Sequence, residues 1–245
     1  MRGGMHMERF AKNRTFTITF VGDSITWGLN HCTAEETYVA CFAREVAHKF
    51  LGAKVIRYDG IVEEPQGLVG YEPVTVQEGT EGTIHIIRSG VGGNTVARAM
   101  ARKQTFTGIL PSKTRSDYIL TMFGINDALY ADPEKYVSAE VFKENYRKLL
   151  KLLKEDAPDA KIVVMTATTN DQSIEEHVKL TYELVNEENV GLIDMYALWQ
   201  QQYDPAKEHF GYGDWLSDVS TDACHPTPKS AKIMGEKIFR ELIGE

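Results

Sequence analysis

Cysteine is scarce. Cys32, Cys41 and Cys224 are the three present in 245 residues. An odd, sparse set does not make a disulfide framework, and none is spaced from another as zinc ligands are. Sustained runs of Lys or Arg are missing too, and the formal net charge is −8. A polyphosphate backbone or an anionic bilayer would be repelled overall, so nucleic acid and membrane are not expected partners. No apolar run is long enough to span a bilayer, and the opening MRGGMHMERF lacks the apolar core of a signal peptide. The setting this leaves is a reducing, cytoplasmic one. There is no internal repeat and no linker-like stretch. The expected organisation is an N-terminal extension over 1–14 and one domain over 15–245.

What is present suits a folded α/β domain. Hydrophobic residues make up 42% of the chain and charged residues 25%, enough for a sizeable core and against disorder. Short β-rich runs at 15–21, 54–58, 83–88, 118–122, 161–166 and 190–194 read as buried strands. Helical patterns lie between them, at 35–50, 94–102, 137–155, 173–185 and 229–242. The third stops at Ala157-Pro158, because the residue before proline disfavours helix. Strand–helix alternation predicts a parallel sheet covered on both faces. The stretch 60–82 breaks the pattern. It is rich in Gly, Pro and Glu, and reads as an insertion: an irregular loop with a β-hairpin.

In open α/β sheets, ligands bind beyond the carboxyl ends of the strands. Four polar islands fall there: Gly22-Asp23-Ser24, the run SGVGGNT at 89–95, Gly124-Ile125-Asn126-Asp127, and Asp222-Ala223-Cys224-His225-Pro226. Each alone has a plain reading as a turn, a packing glycine loop or phosphate cradle, a helix cap or a surface corner. Together they hold the parts of acyl transfer. Ser24 can be the nucleophile. His225 can take its proton, since an unperturbed imidazole titrates near neutrality. Asp222, three residues earlier, can fix the imidazole tautomer. The Ser24 amide, the Gly93 amide and the Asn126 side chain can donate to an oxyanion. Asp23 and Asp127 are supporting residues that hydrogen-bond the backbone around the site. Cys224 reads as a spacer. His31, His48, His85, His177 and His209 read as ordinary surface or core histidines. Trp27 and Tyr130 are candidate pocket walls.

Those four blocks, GDS, GGNT, GIND and DACHP in that order, resemble the SGNH hydrolases, also called the GDSL lipase/esterase family. The resemblance spans nearly the whole chain. It implies a three-layer α/β/α sandwich, flavodoxin-like, with about five parallel strands. It also implies a triad of Ser24, Asp222 and His225, an oxyanion hole of Ser24, Gly93 and Asn126, and no metal or cofactor. One departure is Ser230, near where the family often carries glycine. The Ser-Asp-His order also occurs in α/β-hydrolases, but no G-x-S-x-G pentapeptide is present.

The expected activity is hydrolysis of short-chain acyl esters such as acetyl, carried by a carbohydrate or another small molecule. Aromatic residues Trp199, Tyr203, Phe210, Tyr212 and Trp215 stand among polar ones before the last block, which suits a sugar face better than an aliphatic trough, with core packing an equal reading for Trp199 and Tyr203. A lipase or thioesterase-like acylhydrolase is the alternative. A nucleotide- or glycan-binding module without catalysis is the alternative of another class, although SGVGGNT lacks the full G-x-G-x-x-G spacing and a Walker lysine. A homo-oligomer is left open.

Overall fold

The computed structural model describes residues 15–28, 32–63, 67–108, 110–129, 137–168, 174–202 and 225–243. Its centre is β1 (Thr15–Gly22), where every residue after Thr15 is buried. A central parallel strand is covered on both faces, so both of its side-chain sets must suit an interior. Phe16, Ile18 and Phe20 point to one face and join the larger core cluster. Thr17 and Thr19 alternate with them. Their buried hydroxyls are paired, with Thr17 Oγ1 2.7 Å from Thr114 Oγ1 and Thr19 Oγ1 2.7 Å from Ser116 Oγ.

Six more strands complete one sheet: β2 (Lys54–Glu63), β3 (Gly67–Gln77), β4 (Thr83–Gly90), β5 (Tyr118–Met122), β6 (Lys161–Met165) and β7 (Gly191–Ile193). The order is β3-β2-β4-β1-β5-β6-β7. All neighbours run parallel except β2 and β3. Every segment read as a strand from sequence is one. The sheet has seven strands, where six runs read as strands from sequence and the family resemblance implies about five; the one added to the six is β3, from the 60–82 insertion. Most of the insertion is therefore regular: β2 runs on past its parallel partner and turns back as an antiparallel hairpin. Pro73 sits on this edge strand, where a missing N–H can face outward at no cost to the ladder.

Helices cover both faces. On one, α2 (Tyr38–Lys49), α8 (Met195–Gln202) and α9 (Pro228–Ile243) contribute Tyr38, Phe42, Val46, Trp199, Met234 and Ile238 to the larger cluster. On the other, α3 (Val96–Ala101), α6 (Ala139–Asp156) and α7 (Glu175–Glu188) contribute Val96, Phe142, Leu149, Leu153 and Leu184 to a second cluster. The three-layer α/β/α sandwich is the observed architecture. Single-turn α1 (Ser24–Trp27), α4 (Gln104–Thr107) and α5 (Ile125–Leu129) occupy the loops. Gly235 lets α9 lie close on α2, since a β-carbon there would come within 2.7 Å of both Cys41 Cβ and Tyr38 O. Ser230 is fully buried and accepts the role of a helix-start residue, its hydroxyl donating to Thr227 O at 3.0 Å. Among the described residues, no helix is long and apolar enough to cross a membrane.

Candidate active site

The sheet register gathers the first three islands on one rim. Gly22 ends β1 level with Gly90 of β4 and Met122 of β5. The chain then turns sharply into α1. A β-carbon on Gly22 would lie 2.0 Å from Thr26 Oγ1, and one on Gly90 would lie 2.2 Å from the Trp27 amide nitrogen. Both strands must end in glycine for α1 to fold back over the rim. Asp23 caps this turn, accepting from the Ile25 amide at 2.9 Å.

Ser24 is the first helical residue, and its amide has no carbonyl one turn earlier to pair with. Its hydroxyl lies 2.7 Å from His225 Nε2, across 201 residues of sequence. That is the distance at which an imidazole can take a hydroxyl proton. His225 is delivered by the chain entering α9, whose first turn Thr227 caps through its carbonyl and hydroxyl oxygens. The Cys32 thiol donates to Pro226 O at 3.5 Å beside it. Asp222 and Cys224 lie outside the described residues. So do His31, Tyr130, Tyr203, His209, Phe210, Tyr212 and Trp215.

Gly93 turns the second island with φ 62°, a left-handed conformation that suits glycine. Its amide makes no hydrogen bond among the described residues. Asn126 stands at the start of α5. Its Nδ2 donates to Asn94 O at 3.0 Å and, more weakly, to Asp23 Oδ2 at 3.3 Å. The second and third islands therefore touch each other, and the third touches the first.

Two carboxyls lie beneath. Asp23 is 2% exposed and Asp127 is 1% exposed. Burial pushes Asp23 up to about 6, offset in part by the Ile25 amide and the nearby His225. Burial pushes Asp127 up to about 7, with the Val96 amide hydrogen bond opposing and the Asp23 charge adding. Asp127 Oδ1 accepts that amide at 3.3 Å, tying the start of α3 to α5, while Oδ2 has no hydrogen-bond partner among the described residues. Both accept hydrogen bonds from backbone amides around the site.

Sequence reasoning missed the charges behind α1. Arg57 is 1% exposed inside β2. It binds Glu35 at 2.7 Å and Asp59 at 2.9 Å, and Arg88 of β4 binds Asp59 at 2.9 Å. Arg88 also donates to the Trp27 carbonyl, anchoring the end of α1. Burial opposes the Asp59 charge, but hydrogen bonds from Arg57 and Arg88 overcome it and hold the carboxyl below its ordinary value. The signal available in sequence was a charge at alternate positions of an otherwise buried strand. Of the histidines, His85 and His177 are core residues and His48 is exposed, as expected. Trp199 is wholly buried in the core and is no sugar platform. Among the described residues, no group of three His, Cys, Asp or Glu is placed to hold a metal ion.

A parallel-rich sandwich whose central strand hands a serine to a histidine at the sheet rim defines a class, the α/β hydrolytic enzymes with a serine–histidine pair. Residues 20–233 match the model of the GDSL-like lipase/acylhydrolase family, and the chain belongs to that family. It is a carboxylic ester hydrolase of the SGNH type. Solved structures share the fold at low identity. An acetyl xylan esterase, AlAXEase, matches with TM-score 0.64 and 16% identity, covering 93% of this chain and 100% of its own. Axe2, an acetylxylan esterase from Geobacillus stearothermophilus, matches with TM-score 0.59 and 19% identity over 95% and 96%. A two-domain esterase active on acetylated mannans matches with TM-score 0.59 and 16% identity, over 94% of this chain and 49% of its own. No curated protein sequence matches the chain.

Proposed function

We propose that the protein is a serine esterase that removes short acyl groups, acetyl foremost, from a carbohydrate or related polyol. The observation that carries the mechanism is the 2.7 Å contact between Ser24 Oγ and His225 Nε2. His225 takes the hydroxyl proton as Ser24 Oγ bonds to the ester carbonyl carbon. The carbonyl oxygen becomes an oxyanion facing the amides of Ser24 and Gly93 and the Asn126 Nδ2 donor. Of the two bonds Asn126 already makes, the longer one to Asp23 is the one an oxyanion would replace. The intermediate collapses, His225 gives its proton to the departing alkoxide, and the alcohol leaves. Water then repeats the sequence on the acyl-enzyme, with His225 again taking and returning a proton, and the acid departs. Asp222 is assigned the role of holding the imidazole tautomer.

The substrate class rests on two supports. Three of the similar structures are esterases of acetylated xylan or mannan. The net charge of −8 is also a poor match to an anionic lipid surface. The test is a series of p-nitrophenyl esters from acetyl to palmitoyl, run beside acetylated xylo- and manno-oligosaccharides. kcat/KM should peak at acetyl or propionyl and fall sharply beyond about four to six carbons, as in a pocket too small to bury a longer chain. A profile that climbs toward C10–C16 would overturn the short-acyl reading and favour a lipase or thioesterase.

A further inference from the structure

Arg102 closes α3 and carries no motif. Its guanidinium reaches back under the rim. Nη2 donates to Ser89 O at 2.9 Å and Gly22 O at 3.1 Å. Nη1 donates to Ser89 Oγ at 3.0 Å and Thr105 Oγ1 at 3.3 Å. With the Asn94 amide turned so that its oxygen faces the cation, Oδ1 accepts from Nη2 at 2.9 Å and from Nε at 3.1 Å. Phe106 covers the guanidinium from one side, 5.5 Å from its ring centre.

All of these partners are uncharged. A cation partly withdrawn from water is normally compensated by a carboxylate, and among the described residues this one meets only carbonyl, amide and hydroxyl acceptors, an arrangement that has a cost. Burial accordingly pushes this guanidinium down to about 10, so that it still carries its charge at neutral pH. The acceptors explain what the cost sustains. Gly22 O lies two residues before Ser24. Ser89 immediately precedes Gly90, on whose bare backbone α1 packs. Asn94 follows Gly93, and its backbone oxygen is the one that holds the Asn126 amide. Each loop that supplies an oxyanion donor is therefore either gripped by Arg102 directly or one hydrogen bond removed. A rigid planar fork can hold several loops in fixed mutual geometry, which an ammonium cannot.

We propose that Arg102 is the positioning residue of the oxyanion hole, clamping the Gly22 and Ser89 carbonyls and the Asn94 side chain so that the Ser24, Gly93 and Asn126 donors converge on one point. This rests on the serine-esterase reading above. Donors displaced by about 1 Å cost on the order of 10² in rate, and the loss should appear in transition-state binding and not in substrate binding.

The experiment uses the full chain with R102M, which keeps bulk and removes the donors, and R102K, which keeps the charge and removes the fork. Steady-state kinetics on an acetyl ester, melting temperature, and affinity for a small boronic acid that forms a tetrahedral adduct on serine are measured for each. Wild type and S24A serve as controls. The expected result is kcat about 10²-fold lower in both variants with KM within about threefold, and boronate affinity falling in step with kcat. R102K should recover melting temperature relative to R102M without recovering kcat. Should R102M not fold, R102K decides alone. A folded variant with kcat within about threefold of wild type overturns the role, as does a fall in kcat with boronate affinity unchanged. Wild type without esterase activity, or S24A that retains it, overturns the serine-esterase reading itself, which is a separate failure visible in the controls.

Discussion

Asp127 offers a prediction whose size follows from its surroundings. Its carboxyl moves from 3.8 to about 7, mainly through burial. Below about pH 3.8 both folded and unfolded chains hold the proton, and the residue exacts no penalty. As pH rises the unfolded chain releases its proton first, so stability falls, and the fall ends once the folded carboxyl ionises near 7. At about 1.36 kcal/mol per pKa unit the full loss is about 4 kcal/mol. Asparagine copies the protonated acid in shape. Its Oδ1 can still accept from the Val96 amide, and the second buried polar atom meets no hydrogen-bond partner among the described residues in either form. D127N should therefore remove the pH-dependent loss. Urea melts of wild type and D127N from pH 4 to pH 8 would measure it, and the difference between the two cancels groups common to both. The D127N advantage should grow by about 3–4 kcal/mol between pH 4 and pH 7, then level off, equivalent to about 10 °C in melting temperature for a domain of this size. A difference that stays flat within about 0.5 kcal/mol would refute the reasoning, since it would mean that the carboxyl ionises as easily in the fold as outside it.

Two further outcomes follow from named contacts. N126A should lower kcat by about 10²–10³ with little change in KM, as for loss of one oxyanion donor; a pure KM effect in steady-state assays would make Asn126 a substrate-binding group instead. G90V should cost about 1–3 kcal/mol and most of the activity, because a β-carbon there lies 2.2 Å from the Trp27 amide nitrogen and α1 must shift; unchanged melting and activity would show that α1 does not rest on β4.

The rim was legible because its constraints are local. A strand buried on both faces has to be written as a run without exposed charge, and β1 ends in glycine because Thr26 folds back upon it. The long helix α6 was legible through its period and the proline that stops it. What stayed hidden has either too little length or too much distance. Helices α1, α4 and α5 are single turns, too short to show a period. Arg57 and Arg88 look like strand errors until Asp59 and Glu35 are brought beside them, across 29 residues in the case of Arg88 and Asp59. Arg102 reads as an ordinary helix-end cation, and its contact with Gly22 spans 80 residues. The pairing of Ser24 with His225 was inferable only because the blocks come in a known order. The 60–82 hairpin was half legible: its glycines and proline announced turns, while its register in the sheet depends on β4 leaving β2 an open edge.

The central claim is that Ser24 attacks and His225 takes its proton. A fluorophosphonate probe tests both at once: the folded wild type, S24A and H225A are labelled, digested, and the adduct is located by mass spectrometry. The account predicts one adduct, on the peptide carrying Ser24, absent from S24A and formed at least about 10³-fold more slowly in H225A, the scale of loss when a triad member is removed. An adduct on another residue, persistent labelling of folded S24A, or H225A reacting at the wild-type rate would contradict it.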